Sequence, residues 1–298
     1  MVSRWVTRVL AAILCLAVTQ AGADDTEKFQ RRLSKLQDST FDVAGQYPIG
    51  FACELRVPEW KDSMAEEARY MWGNAYIRLT RAGDRYDMRV EKLRDRSVEG
   101  FVNIALGAWR PAYAKEQEIL AFFMPASIVA LVTEHSASFD YREEVRDRML
   151  KFGGKSTKPL APIKEVEFIV DEHWALRALR LVFADGASYT GTYTHERVAG
   201  RDSAWIVTGA DATVVNAKGI TRQFKVTFDY QQAGKDRKYW VYKTVTREIL
   251  DADGKRVLAG KNDPNPVTYE YEDYEITDPP KAADGPKPPV GDLWQLVR

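Results

Sequence analysis

Cysteine is nearly missing from this chain of 298 residues, with Cys15 and Cys53 as the whole supply. Cys15 sits in an N-terminal stretch that has the marks of a secretory signal. Arg4 and Arg8 come first, then the apolar run Val9 to Val18, then Ala21-Gly22-Ala23 ahead of Asp24. About ten apolar residues are too few to span a bilayer as a helix. A retained N-terminal anchor is the alternative. Leu14 precedes Cys15 where lipoprotein processing needs a small residue. Cleavage near Asp24 leaves Cys53 alone, so no internal disulfide can form and packing must hold the fold. No N-x-S/T glycosylation site occurs. An exported chain with neither feature points to a bacterial periplasm.

Net charge is also lacking, because 43 basic side chains face 43 acidic ones. That balance argues against nucleic acid as a main partner, which would demand an excess of Lys and Arg. Histidine is scarce. His135, His173 and His195 lie far apart. His195-Glu196 is not followed by the second histidine of a zinc-binding H-E-x-x-H helix, so no metal or cofactor is expected. Gly154-Lys155-Ser156 resembles the end of a phosphate loop, but Met149 stands where its first glycine belongs. No serine lies in a G-x-S-x-G elbow. Carboxylates are scattered, and spacing does not pair them for glycoside cleavage. The chain is expected not to be an enzyme, although catalytic groups converging from distant strands would leave no local motif.

What is abundant is alternation. Phe29, Leu33 and Leu36 first mark an amphipathic helix over 27–37. The stretch IGFACELRV then alternates, placing Ile49, Phe51, Cys53, Leu55 and Val57 on one face, with Cys53 read as a small buried hydrophobe. Residues 70–80 and 85–93 form a hairpin. Between about 98 and 152 the alternation fades, and YREEVRDRMLKF reads as a charged helix. A loop is expected over 153–162. From Glu165 onward the period-2 signal returns in strands over 165–171, 176–183, 188–196, 204–215, 221–231, 238–250 and 267–276. Short Gly turns such as Asp185-Gly186 and Lys218-Gly219 separate them, which dictates an antiparallel meander.

The expected fold is α+β, mainly β: a curved antiparallel sheet or incomplete β-barrel covered by helices. The expected organisation is a signal peptide over 1–23, one β-rich domain over 24–277 with a helical insert near 111–152, and a Pro-rich tail over 278–298. The end of that tail, GDLWQLVR, is expected to dock on the body or on a partner.

The one long apolar run of the mature chain is ILAFFMPASIVALV, Ile119 to Val132. At fourteen residues, broken by Pro125, it cannot span a bilayer. Proline favours the first turn of a helix, so Pro125 is expected to start one running to about His135. Phe122, Phe123 and Met124 lie in its approach, an adaptable apolar surface. This helix either plugs the sheet or forms a lid over a ligand.

The order of elements, with MPASIVALV in mid-chain and ALRALRLVFADGASYTGTYTHERVAGRDSAWIV later, resembles the periplasmic lipoprotein-carrier superfamily (LolA/LolB-like). The resemblance implies an open barrel whose helical lid holds an acyl chain. It also implies a lipid or acyl-bearing ligand, an envelope protein partner, transient membrane contact and outer-membrane lipoprotein sorting. Composition and place mark Trp109, Phe122, Phe123, Met124, Ile128 and Leu131 as the apolar lining. The alternative is a non-catalytic structural or interaction protein of the cell envelope, with the Tyr/Glu-rich last strand and the tail as contact surfaces.

Overall fold

A computed structural model describes residues 25–41, 43–59, 76–83, 85–92, 96–158, 162–198, 204–257 and 264–279. The expected signal peptide and nearly all of the Pro-rich tail lie outside them. Helix α1 (residues 25–39) and a single turn α2 (Val43–Gln46) precede three strands, β1 (Gly50–Arg56), β2 (Tyr76–Ala82) and β3 (Arg85–Lys92). Helices α3 (Glu99–Phe122) and α4 (Pro125–Glu134) follow. Nine strands then follow among the described residues: β4 (Phe139–Arg146), β5 (Met149–Ser156), β6 (Ile163–Val170), β7 (Leu176–Phe183), β8 (Ser188–Arg197), β9 (Trp205–Val215), β10 (Thr221–Ala233), β11 (Tyr239–Leu250) and β12 (Val267–Asp278).

All twelve strands join one open antiparallel sheet in the order β3-β2-β1-β12-β11-β10-β9-β8-β7-β6-β5-β4. The meander from β4 to β12 runs in chain order and ends beside β1. The two edges, β3 and β4, are therefore consecutive strands in the chain, and α3–α4 is the connection between them. Twelve strands laid flat would measure about 53 Å across. Helices of these lengths give about 36 Å and 15 Å of rise, a similar reach. The crossover is thus long enough to traverse one face of the sheet, and it does so with a bend of 73° between its two helices.

The inward face explains the strand pattern. Val166, Phe168 and Val170 on β6, Leu179 and Leu181 on β7, and Phe224, Val226 and Phe228 on β10 are buried in alternation. Phe29, Leu33 and Leu36 bury the inner stripe of α1, with the Phe29 ring 5.8 Å from Phe139 and 5.4 Å from Tyr141. Edge strand β3 is guarded by α3, where the Asn103 side-chain oxygen accepts the Val90 N–H at 3.1 Å. Cys53 is fully buried, and desolvation pushes its thiol well above the ordinary range, consistent with a small hydrophobe.

Two expectations fail in the middle of the chain. The helical insert occupies 99–134 rather than 111–152, and YREEVRDRMLKF is the β4–β5 hairpin. Alternation is hidden there because only the start of β4 is covered. Phe139 and Tyr141 are buried, while Glu143, Val145 and Arg146 on the free edge are exposed. The turn is also unannounced, since Asp147 and Arg148 both adopt positive φ (52° and 63°) without a glycine. The expected loop over 153–162 begins later, because Gly153 to Ser156 lie in β5. A Cβ on Gly154 would collide with the Asp140 carbonyl oxygen, so the two strands close up only with glycine there.

Arg148→Gly should stabilise the protein by about 1 kcal/mol, since a side chain in the left-handed region costs roughly that much. Gly154→Ala should do the opposite. Urea unfolding midpoints of the two variants check both signs.

Candidate functional site

The centre of the inward face has a built-in dip. Across neighbouring strands one row of residues reads Phe152, Phe168, Leu179, Gly191, Ala212 and Phe224. Bulk falls away at Gly191 and Ala212. The Tyr189 ring occupies the space that a side chain on Gly191 would take, and the break between α3 and α4 packs against that ring. There Phe123 packs with its ring 5.7 Å from Phe224 and 6.3 Å from Tyr189. Met124 is extended (φ −99°, ψ 108°), as the residue before a proline must be, and Pro125 opens α4. The Tyr230 hydroxyl lies 3.9 Å from the Met124 sulfur and donates to the Val207 carbonyl at 2.8 Å.

The six residues expected to line a cavity are brought together only in part. Phe122, Phe123, Met124, Ile128 and Leu131 cluster at the break and along α4, and all five are buried. Trp109 stands more than three turns earlier on α3, half-buried beside Tyr113 at 5.4 Å and Tyr269 at 6.3 Å. Phe122 and Phe123 keep 1% of their surface open to a water-sized space, and Ile128 and Val129 keep none. Side chains therefore fill the space directly beneath α4 in this conformation.

The two helices are held down by different physics. Under α3, Glu116 pairs with Arg247 of β11, both side chains being nearly buried (12% and 7% exposed). Arg247 Nη2 reaches the second Glu116 oxygen at 3.2 Å, and the Tyr269 hydroxyl donates to that oxygen at 2.6 Å. The Tyr113 and Tyr271 hydroxyls lie 3.0 Å apart, and Gln117 donates to Tyr271 at 3.4 Å. Burial pushes the Tyr113, Tyr269 and Tyr271 phenols up, so they stay neutral. Sequence reasoning missed this cluster, yet Arg247 betrays itself. It has the same strand parity as Val245 and pairs with the buried Val226, so a charge falls on the buried face. Over α4 the contacts are apolar: Ile128, Val129 and Val132 are fully buried, and Thr133 returns its hydroxyl to the Val129 carbonyl.

The flank of α3 beside its buried stripe is apolar and open. Phe101 and Ile104 are each 73% exposed, with Ala105, Ala108 and Ala112 following at helical spacing. No single helix among the described residues is long and apolar enough to cross a membrane. Among the same residues no three His, Cys, Asp or Glu side chains converge as a metal site would require.

Of the histidines, His135 ends α4 and His173 is exposed on the β6–β7 turn. His195 is half-buried on β8, and neither ring nitrogen has a hydrogen-bond partner among the described residues. Desolvation and then the neighbouring Arg177 charge lower it from 6.5 to about 4, with Asp171 opposing. Comparisons with protein-family models, curated proteins and solved structures returned no match.

Glu116→Gln should destabilise the fold by about 3 kcal/mol, because it removes the carboxylate that pairs with the nearly buried Arg247 guanidinium. The pair Glu116→Leu with Arg247→Met should recover most of that loss in urea titrations. His195 is neutral in the fold and takes up its proton only when unfolded between pH 6.5 and about 4. Stability should therefore fall as the pH drops through that window, by at most about 3 kcal/mol from this group, and level off below it. His195→Phe should flatten that limb of the stability curve.

Proposed function

We infer that the protein is a non-catalytic carrier or binding protein for a lipid-like ligand, admitted between the sheet and α4. The observation that carries this reading is the contrast within the crossover. An ion pair and tyrosine hydroxyls fasten α3, whereas α4 follows a proline break and rests on apolar contact. An acyl chain can replace apolar contact without leaving any polar group unpaired.

The magnitudes allow the exchange to be reversible. Uncovering Phe122, Phe123, Met124, Ile128 and Leu131 costs about 8–15 kcal/mol at 1.5–3 kcal/mol each. Burying about fifteen methylenes of a fatty acyl chain returns about 12 kcal/mol at 0.8 kcal/mol apiece. Terms this close favour loading and release over permanent capture. Periplasmic location, an envelope protein that receives the ligand and kinship with the lipoprotein carriers belong to this proposal.

One observation favours a second reading, that of an interaction protein. The interior beneath α4 is filled, and the exposed Phe101–Ile104 flank of α3 offers apolar surface to a partner. The Tyr/Glu-rich last strand does not offer an edge for that purpose, because β12 is paired on both sides, with β1 and β11.

Delipidated protein titrated with a long-chain fluorescent fatty acid should bind it saturably. Phe123→Ala, which removes the ring that packs on Tyr189 and Phe224, should bind at least as tightly as the natural chain. If neither protein shows saturable binding, the carrier reading fails and the interaction reading stands in its place.

A further inference from the structure

On the inward side of the sheet, beyond the C-terminal end of α1, lies an open cleft of about 380 Å³. Lys35, Asp38, His173, Trp174, Arg197 and Trp205 line it. That volume falls in the range of small-molecule sites, about 300–1,000 Å³. It is remote in sequence from α4, and its chemistry is different.

Two half-buried indoles form its walls, each covered by a cation. Lys35 Nζ lies 4.3 Å from the centre of the Trp174 ring, and the Arg197 guanidinium lies 5.1 Å from that of Trp205. Neither cation has a carboxylate partner among the described residues. A second hollow, on β4–β6, has ion-paired residues in its lining. There Lys151 is paired with Glu167 at 2.7 Å, and Glu165 with Arg180 at 3.1 Å.

The walls are held in place by the backbone. Trp174 adopts φ +63°, a conformation bulky residues avoid. Asp171 Oδ1 accepts the N–H groups of His173 at 2.9 Å and Ala175 at 3.0 Å, which fixes the turn. Ser39 Oγ lies 2.9 Å from the Trp174 carbonyl oxygen, and Trp205 Nε1 donates to the His173 carbonyl at 3.1 Å. A strained aromatic residue pinned from three directions has a fixed position, which suits a stacking surface.

We propose that this cleft binds a carboxylate-bearing sugar. The C–H face of a pyranose stacks on an indole, and its carboxylate draws Lys35 and Arg197 off the rings they now cover. Asp38 accepts sugar hydroxyls, which a bare anion does not carry. The two cations outnumber Asp38, so an acidic sugar is favoured over a neutral one. This site is independent of the acyl-binding reading.

Isothermal titration of the full chain tests it with trigalacturonate, N-acetylmuramic acid, maltotriose and inorganic phosphate. At least one of the two acidic sugars should bind saturably, and at least tenfold more tightly than maltotriose or phosphate. Lys35→Glu and Arg197→Glu alter exposed side chains, so both should melt like the natural chain yet bind that sugar at least tenfold more weakly. Trp205→Leu should weaken it as well. Failure of both acidic sugars to bind overturns the proposal. So does maltotriose binding equally well, which removes the role of charge, or phosphate binding equally well, which removes the role of the ring. Unchanged affinity in both charge-reversal variants places the sugar elsewhere and overturns it too.

Discussion

A single open sheet has one apolar face and no second sheet to bury it against, and everything else in this molecule answers that constraint. The chain meets it with its own connection. Because the two sheet edges are consecutive strands, the link between them must cross the face, and α3 and α4 are that link. Cover and crossover are the same residues. The N-terminal helix α1 fills in over β4 and β5, where the crossover ends, through Phe29 against Phe139, Tyr141 and Phe152.

The cover is not uniform, and that difference gives the fold its dynamic potential. Glu116, Arg247 and Tyr269 tie α3 to two strands through a buried polar cluster. Breaking it costs a nearly buried ion pair and its hydrogen bonds, so α3 stays seated. The buried residues of α4 are Pro125, Ser127, Ile128, Val129, Leu131 and Val132, and none of them carries a charge. Motion is cheapest where contact is apolar and a proline has already interrupted the helical hydrogen bonds. The acyl-binding proposal rests on this asymmetry, and the sugar site lies apart from it on a pinned turn.

The parts of the fold that were legible in the sequence were those with one covered face. Strands β7, β9, β10 and β11 alternate because inner neighbours are buried in the core and outer ones face water, and their bounds fall within a residue or two of those the pattern predicts. Pro125 marks the start of α4 for an equally local reason. The β4–β5 hairpin was illegible because its outer half has no cover on either side, so Val145 can be exposed and Arg146 can sit in a strand. Five of the six proposed lining residues do cluster, but periodicity could not say that they meet side chains rather than a void.

The sequence by itself determined the mainly antiparallel architecture, the proline-started helix and the burial of Cys53, because each follows from the spacing of apolar residues along a few neighbouring positions. Only the tertiary structure decided the rest. Whether space remains beneath the α3–α4 break depends on Phe123 meeting Tyr189 of β8 and Phe224 of β10, which lie on separate elements. The pairing of Glu116 with Arg247 spans 131 positions, and the Trp174–Trp205 cleft gathers residues from α1, a turn and two strand ends. Periodicity reports which face a residue occupies, while packing and charge pairing depend on which distant residue shares that face.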